Sequence, residues 1–451
     1  MLHSIMQRLL PSRLLPIVTL LAAGLLMTAC DSNGPTTEPP PEDDDLPVPS
    51  SYTFSSRFVD GESAVAYPGQ VTRNLLIADL KALTDARATP VTEQRLMDRY
   101  TYDSQDLNIL LSVTPDPLQT TYPDIATGKS LQGKATAQYS DIPLIGIGAL
   151  PGFSEGATAD EVVRQYLANI ASNYDSGQTA PAAYTTAEEV DMGQIVNKLL
   201  LGSVAYSQAT AKYLDDVLNR ETSPNTQDGD KPYSTLGHVW DEAYGYYGAP
   251  RDFNASGVFY DGNGLVAKAS DRNGDGAIDL ESEFMFTWAD YSVDRGTVND
   301  INFHTTLFES FREGRTAILN QKSIDEIRSH AADARAEWDR LVASNVVHYL
   351  NSMAGDLSGL SDDQTITRAA LGDDTAAALN EHWGEAKPFA WALQYNPDKA
   401  ISDADLQALH EELGGTPPYG MTKAEALADI DAAKSIIQDA YDFPDANMSN
   451  W

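Results

Sequence analysis

The sequence predicts a mainly α fold, a helical bundle that divides into two packed half-bundles or stands as one. Three observations carry this. Apolar residues recur at three-to-four spacing in most long segments, strand signals are few, and helix-start signatures precede several of these segments. In "QVTRNLLIADLKALTDA", Val71, Leu75, Leu76 and Leu80 share one face, and "ADEVVRQYLANIASNYD" (159–175) repeats the pattern. The longest seam runs from about Thr186 to Asn219 through Met192, Val196, Leu199, Tyr206, Tyr213 and Val217, and Gly202, Ser203 and Thr210 leave room for a close neighbour. A further helix starts at Ser323 with Glu326 three residues on, and another at Thr422 with Glu425, the spacing of a capping box. The stretch 375–393 reads as a helix broken or kinked at Pro388. Residues 141–150, "DIPLIGIGAL", fit a short strand or a buried loop.

The N-terminus suggests location. Arg8 and Arg13 flank the start of a short apolar run, "LLPIVTLLAAGLLMTA", the layout of an export signal. The run stops at Cys30, the only cysteine of 451 residues. "LMTAC" resembles a bacterial lipobox, which implies a diacylglyceryl group on Cys30 and cleavage before it. We therefore expect a signal peptide at 1–29 and an acidic, Pro-rich tether at 30–51. The helical domain follows at 52–451, with 52–225 and 226–451 as its halves. The protein is expected in the bacterial cell envelope, outside the cytoplasm, on the inner or outer membrane. The formal charge is −36, from 66 acidic and 30 basic residues. Phosphate backbones would be repelled, so nucleic acid is not an expected partner. The expected partners are the membrane, through the lipid, and metal ions.

Two motif regions carry chemistry. "DRNGDGAIDLESE" places Asp271, Asn273 and Asp275 in alternation, then Gly276, the Ala277 carbonyl and Asp279. This resembles the calcium loop of EF-hand and dockerin-type modules, where oxygens at alternate positions wrap one cation. The twelfth position is Ser282 instead of glutamate, so Glu283 is the candidate to close the shell. The second region is a pair of Trp-x-Glu-Ala segments, "HVWDEAYGY" (238–246) and "EHWGEAKPF" (381–389). His238 shares a helix face with Asp241 and Glu242, and His382 with Glu385. An imidazole and a carboxylate one turn apart can chelate iron or zinc. The five residues form one site, or each pair only holds its own helix. Arg315 is expected to pair with a motif carboxylate.

The signal, the helical body and these His-x-x-acid pairs resemble the imelysin-like group of bacterial surface and periplasmic proteins, which is linked to iron uptake. The closer likeness is to a lipoprotein branch with an uncharacterised domain, through "YPGQVTR" (67–73), "KLLLGSVAYSQ" (198–208), "HVWDEAYGYYGAP" (238–250), "DRNGDGAIDLESE" (271–283) and "GRTAI" (314–318). The imelysin pattern places a glycine two before its histidine, where this chain has Leu236. The resemblance implies an anchored binding protein, with metal acquisition as its role. The alternatives are a structural or interaction lipoprotein and a metallopeptidase. The chain has no His-Glu-x-x-His and no Gly-x-Ser-x-Gly, and its cysteine is assigned to the anchor, so the sequence leans away from an enzyme.

Overall fold

Helix α9, Ile324–Asp356, is the axis of the molecule. Its 33 residues extend about 50 Å at 1.5 Å per residue. The computed structural model describes residues 45–253, 267–296, 298–299 and 301–451. Before α9 come α1 (Pro68–Thr84), α2 (Glu93–Tyr100), α3 (Gln132–Ala135), α4 (Ala159–Asp175), α5 (Met192–Leu200), α6 (Thr235–Tyr247), α7 (Thr287–Arg295) and α8 (Phe303–Leu319). After it come α10 (Arg368–Leu371), α11 (Asp373–Ala392), α12 (Asp403–Leu413), α13 (Lys423–Tyr441) and α14 (Asp445–Asn450). The fold is mainly helical, with no strand among the described residues, only isolated bridges such as Ala269 with Phe284. Helices α8 and α11 lie along α9, and α5 packs on α11. Residues Leu46–Trp451 cluster as a single compact unit, in which helices from both sides of residue 225 interleave.

The helix starts follow local chemistry. The Ser323 hydroxyl accepts from the Glu326 N–H at 3.1 Å. Thr422 and Glu425 satisfy each other's backbone N–H groups, and Thr158 and Glu161 do the same for α4. Residues 141–150 are a loop with a 3₁₀ turn at Ile147–Ala149, not a strand. Its Ile145 carbonyl accepts from the Trp391 indole at 2.8 Å. Pro388 does not break α11, which continues to Ala392. Packing holds both parts: Gly384 lies against Gln194 of α5, where a Cβ would come within 3.1 Å of the Gln194 Cβ.

The chain beyond α5 stays helical but widens into π-helix over Leu201–Tyr206 and Gln208–Asp216. Such widening occurs where an outside group enters the backbone ladder. Here the Trp288 indole donates to the Leu201 carbonyl at 3.2 Å. Gly202 admits Ala392, whose Cβ would sit 2.8 Å from an added Cβ. The wider turn sets Lys212 and Tyr213 beside α6.

Helix α6 meets α8 at Gly314. A Cβ there would lie 2.1 Å from the ring of the fully buried Trp240. Trp240 cannot retreat without losing its indole bond to the Phe311 carbonyl, 2.9 Å long. Gly314→Ala is therefore expected to destabilise the fold by about 2 kcal/mol or more through overpacking. Urea unfolding of the variant beside wild type measures this, and an unchanged midpoint would refute the contact.

Candidate functional site

The segment Thr235–Tyr247 forms α6, started by Ser234, whose hydroxyl accepts from the Gly237 N–H at 3.0 Å, and ended at Gly248 with φ +76°. Asp241 points inward and is wholly buried. Its Oδ1 accepts from Arg315 Nε at 2.9 Å and from the Tyr52 hydroxyl at 2.8 Å, and its Oδ2 from the Ala66 N–H at 3.3 Å. Arg315 also donates to the Ala64 carbonyl at 2.9 Å and is itself 2% exposed. Burial pushes the Asp241 carboxyl above its ordinary range, and the Arg315 guanidinium opposes this. The guanidinium crosses α6 at Gly237, where a Cβ would lie 2.9 Å from Arg315 Nη2, so glycine is needed there.

His238 and Glu242 look elsewhere. His238 Nδ1 lies 2.9 Å from the Ala66 carbonyl, which can only accept, so that nitrogen carries the proton. The ring stacks on Tyr233 at 4.7 Å. Glu242 Oε1 accepts from Gln70 Nε2 at 2.9 Å and from the Tyr213 hydroxyl at 3.1 Å. Both residues line a cavity of about 480 Å³ that also takes in Arg73, Lys129, Lys134 and Lys212. Its size falls within the roughly 300–1,000 Å³ of small-molecule sites. Burial, with the neighbouring charges of Arg73 and Lys212, lowers the Lys134 ammonium to about 7, and Glu242 opposes the shift.

The second segment sits in α11, against α9 and α5. His382 Nδ1 lies 2.7 Å from Asp356 Oδ2. Burial would lower its pKa, but the Asp356 hydrogen bond and charge outweigh that and raise it. Glu385 pairs with Lys198 Nζ at 3.0 Å in the interior. His348 of α9 lies 3.0 Å from the Arg295 guanidinium, and burial holds its pKa down to about 3. The structure thus does not join His238, Asp241 and Glu242 to His382 and Glu385. Each acid is spent on a partner from another part of its own surroundings. Among the described residues no group of three His, Cys, Asp or Glu side chains is placed to hold a metal ion.

The Asp271 loop folds around its own amides. Asp271 accepts from the N–H groups of Gly274 at 2.7 Å and Gly276 at 2.9 Å. Buried Glu283 turns into the loop, accepting from the backbone N–H groups of Arg272 at 2.8 Å, Asn273 at 3.1 Å and Asp279 at 2.9 Å. Ser282 donates to Asp279 at 2.6 Å, and Gln119 clamps Asp279 from outside at 2.8 Å. Asp275 Oδ1 takes the Ala277 N–H at 2.9 Å and its Oδ2 the Asn273 amide at 3.0 Å. The donors are the hard oxygens that calcium takes, and each ionised carboxylate keeps lone pairs beyond these bonds. Among the described residues no helix enters the loop directly, since 267–270 are not helical and α7 begins only at Thr287. Cys30 lies outside the described residues.

The family model described as "Domain of unknown function (DUF4856)" matches residues 49–373. The chain belongs to this family. No curated protein and no solved structure matches it. The DUF4856 span holds the cavity and the Asp271 loop, and it ends at the first residue of α11, before His382 and Glu385. The four cations of the cavity were not singled out from the sequence. They come from three distant stretches of it, and the one available signal was the scarcity of Lys and Arg in an acidic chain.

Breaking the Asp241–Arg315 pair leaves a buried charge alone. Arg315→Met is expected to cost about 3–5 kcal/mol, and Asp241→Leu with Arg315→Met clearly less than the sum of the single changes. A double-mutant cycle by urea unfolding tests this, and additive single effects would show that the charges do not act as a pair.

Proposed function

We propose that the protein is a lipid-anchored binding protein of the bacterial cell envelope that takes a small ligand in the cavity between α1, α6 and the π-helical segment. The observation that carries the reading is the cavity itself, a preformed hollow with polar groups converging from four separate stretches of chain. The basic segment, apolar run and sole cysteine support the anchor. No helix among the described residues is long and apolar enough to cross a membrane. The His238-x-x-Asp241 spacing supports kinship with imelysin-like lipoproteins. However, Asp241 already serves Arg315, Tyr52 and Ala66, and the cavity is rich in cations. A bare iron or zinc ion is therefore not the ligand we propose for it. For the Asp271 loop we propose a bracing calcium ion, held by Asp271, Asn273, Asp275, Asp279, Glu283 and the Ala277 carbonyl.

Two measurements check these statements. Cys30→Ala is expected to move the protein from the membrane pellet to the soluble fraction after cell lysis. A variant that still sediments with membranes would refute the anchor. Millimolar calcium is expected to add about 2 kcal/mol of stability, and Asp271→Ala should lose that gain. Equal melting temperatures with calcium and with chelator would remove the ion from the loop.

A further inference from the structure

The chain carries 66 acidic and 30 basic residues, so a lysine without a carboxylate is unexpected. Five lysines elsewhere sit beside a carboxylate, Lys81 with Asp85, Lys198 with Glu385, Lys268 with Asp290, Lys399 with Asp403 and Lys423 with Asp362, while Lys387 is tied to the His410 carbonyl and Lys434 to the Asn351 amide oxygen. At the α1–α6 cavity Lys129, Lys134 and Lys212 converge, and among the described residues none of them has a carboxylate within 4 Å. Arg73 joins them, donating to the carbonyls of Ser130 and Gly69, each at 3.3 Å. Glu242 is the one carboxylate in the lining, and its Oε1 is taken by Gln70 and Tyr213. Two of them lie against an aromatic face instead. Lys212 Nζ lies 4.9 Å and Lys134 Nζ 5.9 Å from the centre of the Tyr213 ring. Lys129 crosses the first turn of α1 at Gly69. That turn has no capping side chain and no acidic residue, so the positive end of the helix dipole adds to the same field.

We propose that this cavity is an oxyanion site for a small soluble molecule carrying two or more negative charges on phosphate or carboxylate groups, bound by Arg73, Lys129, Lys134 and Lys212. The proposal deepens the reading of the cavity as a ligand site and rests on it. Four cations against one carboxylate leave an uncompensated charge that a multiply charged anion neutralises, whereas a metal cation would be repelled. The lysines offer freely rotating donors, and Arg73 a fixed one. His238, with its Nδ1 proton given to Ala66, keeps Nε2 as its remaining polar atom on the cavity wall.

Anion binding at this site is coupled to proton uptake. In the empty cavity Lys134 titrates at about 7, lowered by burial and by Arg73 and Lys212. Lys129 lowers it further and Glu242 raises it. A bound oxyanion favours the ammonium and raises that value. Between the free and the bound value, binding draws a proton from the buffer, and affinity falls as pH rises through that window.

The test uses the full-length chain in an uncharged detergent, titrated calorimetrically with pyrophosphate, citrate and inorganic phosphate. Glucose and spermidine are run beside them. Pyrophosphate and citrate should bind one to one, more tightly than inorganic phosphate. Lys134→Gln with Lys212→Gln should weaken them at least about tenfold, with the melting temperature kept. At pH 8, where citrate is fully ionised, its binding enthalpy should vary with the ionisation enthalpy of the buffer in wild type and not in Lys134→Gln. The proposal fails if none of the three anions saturates below roughly 1 mM, or if the double variant binds as wild type does. Binding of glucose or spermidine without any anion would keep the cavity as a ligand site and discard the oxyanion. Binding to vesicles of anionic lipid but to no soluble anion would discard the small-molecule ligand.

Discussion

The buried pair of Arg315 and Asp241 fixes how α6 is turned, and the candidate site follows from that turn. Each residue of a helix is rotated by about 100° from the last. With Asp241 locked inward onto α8 and the N-terminal segment, Glu242 is turned to the flank, and His238 comes to the same flank one turn earlier. Neither could face the cavity if Asp241 were free to rotate out. The pair is possible because glycine at 237 lets the guanidinium cross the helix, and because Tyr52, Ala64 and Ala66 complete its hydrogen bonds. A buried ion pair adds little net stability, but removing one partner is costly. What it supplies here is orientation.

The same economy of charge explains why a basic cavity can exist in a strongly acidic protein. A formal charge of −36 sets up a field that repels anions at long range, but in physiological salt that field decays over about 8 Å. Inside a partly dry hollow the nearest charges dominate, and these are Arg73, Lys134 and Lys212. The tyrosine between the lysines matters for this reason. A carboxylate in its place would neutralise the cations, whereas a ring holds them while leaving their charge available.

Much of the helical framework was legible because its signals are local. Leu75, Leu76 and Leu80 on α1 and the caps at Ser323 and Thr422 depend on residues within a turn or two. Of the two courses open at Pro388, a break or a kink, the break does not occur, and α11 runs on packed against α5. The two Trp-x-Glu-Ala segments were legible as a related pair, but their packing was not. Their shared feature is a packing device: Trp240 donates to the Phe311 carbonyl and Trp383 to the Leu413 carbonyl, each at 2.9 Å. Each indole ties its helix to a neighbour, so the likeness includes a common way of docking a helix. The cavity itself could not be read. Arg73, Lys129, Lys134 and Lys212 come from α1, a loop, α3 and the π-helical segment, and no spacing rule links them.

The cavity joins a rigid wall to mobile donors, and this sets what it can bind and how tightly. Helix α6 is held at its start by the His238 bond to Ala66, in its middle by Arg315, and at its end where the Phe286 N–H meets the Gly248 carbonyl at 2.8 Å. That last contact ties α6 to the chain leaving the Asp271 loop, as does the bond from the Arg251 N–H to Ser282 at 2.9 Å. An ion in the loop would therefore stiffen one end of the wall while leaving the cationic lining untouched. The lysines, in contrast, are only partly buried. Ordering each long side chain around a ligand costs about 1.5–2 kcal/mol. Three such costs offset much of the gain from three charge-assisted contacts of about 1.5–3 kcal/mol each. A singly charged anion that reaches one lysine gains little net, whereas a multiply charged one spans several lysines and Arg73, whose fork is already fixed by Ser130 and Gly69. Selectivity for multiply charged anions thus follows from the flexibility of the lysines as much as from their charge.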